Sequence, residues 1–171
     1  MPNLHPLIVH FPIALFLTAV ICELAGYFLN SKVLTTVALV NSTLAAVAGI
    51  AAVITGLLAS QIVPATGDVR TVMESHRTMG YLVLASASAF ASLKFYAHYK
   101  QTDRYLITQI GIGLLGIVIT LLAAHEGGQL VYRHRVGVQA VEKQKSIRSY
   151  PVLPSSSQPS DSTKDTAKTH P

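Results

Sequence analysis

Four stretches of this chain contain no Asp, Glu, Lys or Arg: residues 1–22, 33–67, 78–93 and 105–125. A helix on a soluble domain carries polar and charged residues along its outer face, and these runs leave none to supply it. Charged residues are only 12% of the 171, about half the usual share. Soluble globular folds are therefore excluded, and so are disordered chains. A disulfide-stapled fold is excluded too, because Cys22 is the one cysteine. What remains is an all-α, multi-pass membrane protein of a single domain.

Four apolar segments can be read, at about residues 6–29, 33–63, 79–97 and 106–124, each near the ~20 residues a spanning helix needs. Lipid offers no partner to an open strand edge, so the segments must be helices. The first reads as a span rather than a cleaved signal peptide, since no Lys or Arg precedes Lys32. Small residues are dense inside the spans: Ala45, Ala48, Gly49, Ala52 and Gly56 in the second, Ala85 to Ala89 in the third, and Gly111, Gly113 and Gly116 in the fourth. They let helix backbones approach closely, which predicts an integral membrane four-helix bundle over residues 1–141. Residues 142–171 are rich in Ser, Thr, Pro and Lys and read as a flexible tail.

A net charge of +5 is no sign of nucleic acid here. Arg133, Arg135, Lys143, Lys145 and Arg148 follow the last span, and Lys32, Lys94, Lys100 and Arg104 flank the others, as headgroup anchors do.

Four spans put both termini on one side, called side A, together with the connection between the second and third spans. Five of the seven histidines fall there: His5, His10, His76, His125 and His134. His10 lies beside Pro12, which cannot donate to the carbonyl of Ile8 and so loosens the helix start. Gly80 follows His76 at i+4, and Gly127-Gly128 follow His125 and should end the last helix. Three uses of the cluster compete. Two imidazoles from different helices can bind a b-type haem, with Arg77, Arg133 or Arg135 at its propionates. Three or four, joined by Glu126, can hold zinc, copper or non-haem iron. For haem and metal alike His10, His76 and His125 are the first choice of ligands and His5 and His134 the second. Or the histidines are structural, capping helices at the headgroup boundary with no cofactor. No zinc-binding spacing such as His-x-x-x-His occurs on any helix.

Glu23 interrupts the first span at hydrocarbon depth, where an ionisable residue faces a partner inside the bundle. Counting from the turn at Asn30 pairs it with Asn41; Lys32 or Lys94 turned inwards would serve instead. A polar clamp is favoured over a proton relay, since no second carboxyl continues the path. Phosphate loops, nucleophile elbows and His-Glu-x-x-His are all missing, so the chain reads as an electron-transfer or accessory protein rather than an enzyme.

The opening His5-Pro6-Leu7-Ile8-Val9-His10-Phe11-Pro12-Ile13-Ala14-Leu15 and the closing His125-Glu126-Gly127-Gly128-Gln129-Leu130-Val131-Tyr132, with His134 and Val136-Gly137-Val138, resemble an uncharacterised family of bacterial four-helix membrane proteins, a domain of unknown function. His76-Arg77-x-x-Gly80 and Glu23 match it as well, and the resemblance covers about residues 3–138. Arg135 departs from it, standing where the family often has Gly. Similar domains are joined to, or encoded beside, cytochrome c-type and Rieske-type electron carriers. The resemblance therefore implies a haem-binding, electron-transfer subunit of the bacterial inner membrane, with side A facing the periplasm. Basic residues near the membrane divide five to four between the sides, so orientation rests on an N-terminus free of basic residues, which is easily translocated. The competing expectation is a non-catalytic scaffold of a respiratory complex.

Overall fold

The charge-free stretches become helices that turn back on one another in sequence. The computed structural model describes residues 4–63 and 66–136, so the tail at 142–171 lies outside the described residues. The elements are α1 (His5–Ile8), α2 (His10–Phe28), α3 (Lys32–Ser60), α4 (Asp68–Lys100) and α5 (Leu106–Tyr132). α1 and α2 form one span, His5–Phe28, and among the described residues four helices are long and apolar enough to cross a membrane. The hydrogen-bond ladder lapses at Val9, one residue beyond the carbonyl that Pro12 leaves without its usual donor.

Turn chemistry closes the α2–α3 hairpin. Asn30 takes a left-handed φ of 48°, and the Ser31 N–H returns to the Gly26 carbonyl at 2.9 Å, which satisfies the end of α2 as glycine or asparagine commonly does. Ser31 then caps α3, its hydroxyl accepting from the Leu34 N–H at 3.5 Å. A methyl group on Gly26 would sit 2.8 Å from Cγ2 of Thr35, so the two helices cross in contact.

Two helices outrun the apolar segments that announce them. α4 begins at Asp68, not near Met79, because hydropathy registers immersion in lipid while helicity continues into water; Asp68 sits in its first turn, where a carboxylate favours the helix dipole. At 33 residues it is ~50 Å long at 1.5 Å per residue, well beyond a hydrocarbon core of ~30 Å. α5 runs through Gly127-Gly128 to Tyr132, so the glycine pair does not end it. Gly127 instead receives a side chain from α4.

The centre is built by aromatic rings set against glycine. Phe16 and Phe90 meet edge to face, centroids 5.9 Å apart, an arrangement that suits the ring quadrupoles. Methyl groups on Gly116 and Gly113 would lie 2.7 Å from the Phe16 ring and 2.9 Å from Val20. Ala19, Ala38 and Ala45 are wholly enclosed. Leu, Ile and Val cover the outer surface, which is the inversion of soluble packing that lipid permits.

Candidate functional site at the side A mouth

Among the described residues, His5 and His76 are the histidines whose rings come together. Their ring centroids are 6.3 Å apart with an interplanar angle of 80°. Each ring is held by a helix other than its own. His5 Nδ1 lies 3.0 Å from the Ala52 carbonyl of α3, with the Thr55 hydroxyl at 3.3 Å. His76 Nδ1 lies 3.0 Å from the Ala123 carbonyl of α5. A carbonyl only accepts, so Nδ1 carries the proton in both rings. The neutral imidazole then keeps its lone pair on Nε2, the tautomer that a metal-binding histidine held through Nδ1–H adopts.

Glycines make room for both rings. Methyl groups on Gly56 and Gly127 would come within 3.0 Å of His5 Cε1 and 3.1 Å of His76 Cε1. Gly127 thus belongs to the pocket for His76, while Gly80, four residues after His76, has nothing near it.

The other candidates lie apart from this pair. His10 is exposed, and its Nδ1–H donates to the Pro6 carbonyl of its own chain segment at 2.5 Å. His125 is exposed too and accepts from the Gln129 side-chain amide at 2.9 Å. It stands two residues from Gly127, about 200° around the helix, so it faces away from His76. His134 is half-buried beyond the end of α5, its backbone N–H donating to the Gln129 carbonyl. Among the described residues no group of three or more His, Cys, Asp or Glu could hold a metal ion, so His10, His76 and His125 do not form one. Arg77 bonds the Ser60 hydroxyl at 3.1 Å, at the edge of an open cleft lined by Ser60, Arg70, Met73, Glu74 and Arg77. Arg135 has a φ of 52°, left-handed backbone that favours glycine; that accounts for a glycine at this place without any ligand approaching it.

At the opposite end, side B, Glu23 is met by Lys94 of α4, Nζ to Oε2 2.5 Å, with both side chains buried. The pair with Asn41 is not formed: Asn41 is half-buried, and among the described residues it takes part in no side-chain hydrogen bond. Gly26 against Thr35 sets the register of α2 and α3, which puts Ala38 at the depth of Glu23 and Asn41 a turn further in. Lys94 is consequently no headgroup anchor. Of the partners weighed for Glu23, the fold selects Lys94 turned inwards rather than Asn41.

These observations define a class: a four-helix membrane protein tied by an imidazole pair at one end and a buried ion pair at the other. Residues 1–140 match the family model DUF2231, described as a predicted membrane protein, and the chain belongs to that family. No curated protein and no solved structure matches it.

Proposed function

We propose that the chain is a redox subunit of the bacterial inner membrane in which His5 and His76 ligate one haem iron near side A. The observation that carries this reading is the meeting of two imidazoles from different spans at side A. Their centroids are 6.3 Å apart, close enough for one ligand to be shared between them. A site with only two protein ligands suits haem, whose macrocycle supplies the remaining four nitrogens. Gly56 and Gly127 let each ring lie against its neighbouring helix, and the Ala52 and Ala123 carbonyls fix ring orientation and tautomer. Bound there, haem would supply one-electron chemistry; the chain's part is to hold and orient the imidazoles. Arg77, one residue from His76, offers a cation at the surface. The partner is a cytochrome c-type or Rieske-type carrier reaching side A from the periplasm.

The test is a reduced-minus-oxidised spectrum of the purified protein, with iron analysis on the same sample. Soret and α bands present in the parent, lost in His5→Ala and His76→Ala and kept in His10→Ala and His125→Ala, are expected. A colourless, iron-free preparation made with haem supplied would overturn the reading.

A second reading has its own observation. Each ring already joins two helices, α1 to α3 and α4 to α5, and such ties stabilise a cofactor-free scaffold as well. The colourless outcome would leave this one standing.

A further inference from the structure

The side B ion pair has a third neighbour. Gly113 of α5 packs against Val20 of α2 and Phe90 of α4. One helical turn toward side B from this layer come Glu23, three residues after Val20; Lys94, four after Phe90; and Gln109, four before Gly113. Three and four residues are the spacings that keep side chains on one helix face. Register therefore brings a carboxylate, an ammonium and an amide from three helices to one level of the bundle interior. All are buried, at 2%, 8% and 1% exposure.

Their hydrogen-bonding capacity does not balance. Lys94 and Gln109 carry five N–H donors between them, and the acceptors are the two Glu23 oxygens and the Gln109 carbonyl. Gln109 Nε2 is buried and meets no acceptor among the described residues. A donor left unmet inside a bundle is costly, and at membrane depth no bulk water relieves it.

We infer that Glu23, Lys94 and Gln109 form an internal site for one water molecule, which accepts from Gln109 Nε2 and Lys94 Nζ and donates to the free lone pairs of Glu23. The chemistry selects water over other small guests. An anion could accept from both nitrogens but is repelled by the carboxylate and cannot donate to it. A cation is repelled by the ammonium. Water has two acceptor and two donor positions, and buried waters typically make about three hydrogen bonds to such groups. The site is independent of any cofactor at side A.

Magic-angle-spinning NMR of the full-length protein in bilayers tests this by polarisation transfer from water protons to the Gln109 side-chain nitrogen. Rapid transfer is expected, matching that of amides in the exposed turns despite the burial of Gln109. Transfer no faster than at the enclosed amides of Ala38 and Ala45 would overturn the site. In Glu23→Leu/Lys94→Met the signal at Gln109 should fall to that enclosed level; an undiminished signal would also overturn it. Should that variant fail to fold, Gln109→Leu offers a second arm. Water transfer to Lys94 Nζ should then drop at least severalfold, and no change would refute a shared water.

Discussion

The two ends of the bundle solve one problem with different chemistry. At side A the ties are neutral: imidazole N–H groups donate to carbonyls of α3 and α5, beside glycines that admit the rings. At side B the tie is ionic, Glu23 to Lys94, with both side chains buried. A neutral tie can be lost at modest cost, since each side returns to one unmet group. Half an ion pair cannot, because the remaining charge has nowhere to go. The ends therefore tolerate change very differently, and side A is the end where substitution is least constrained by stability.

The largest effect should follow from leaving one charge alone. Glu23→Leu is expected to cost about 3–5 kcal/mol, read as lost thermal stability in detergent, whereas Glu23→Leu/Lys94→Met should recover most of it. Equal losses in the single and double variants would show that the ion pair is not the tie. Next comes the layer between the ends: Gly116→Ala forces a methyl group against Phe16 and should cost about 1–3 kcal/mol through overpacking. His5→Ala and His76→Ala, measured without cofactor, should each cost about 1 kcal/mol for the lost hydrogen bond, with His10→Ala and His125→Ala near zero. A loss at His76 as large as that at Glu23 would erase the contrast. The smallest quantity is the coupling between ends. Glu23→Leu and His76→Ala should add to within about 0.5 kcal/mol, as distant sites do.

Spans were legible in the sequence because lipid immersion leaves a signature in composition, the absence of charge. Helix ends were less legible: Asp68 to Thr78 is helical in a largely polar stretch that hydropathy passes over, and Glu126 to Tyr132 stays helical through a glycine pair that reads as a stop. The histidine cluster could be assigned to one end from topology alone. Which members face one another could not, for that depends on angular position about each helix: His76 points at Gly127, and His125, two residues away from that glycine, points outward. The same limit left Lys94 as the alternative to Asn41 rather than the first choice for Glu23. Depth counted from the turn at Asn30 also missed by a turn at Asn41, an error that the close crossing at Gly26 and Thr35 corrects.

Between the ends, Phe16 and Phe90 stand edge to face, with Ala19, Ala45 and Ala87 enclosed around them. The hydroxyls nearby are committed to their own helices, Ser42 to Leu39, Ser86 to Leu82 and Thr120 to Gly116. Among the described residues this layer holds no charged side chain, so a charge entering from either leaflet would meet no counter-ion there. Such a layer is built to insulate: a charge delivered to one leaflet would find no opposite charge on its way to the other.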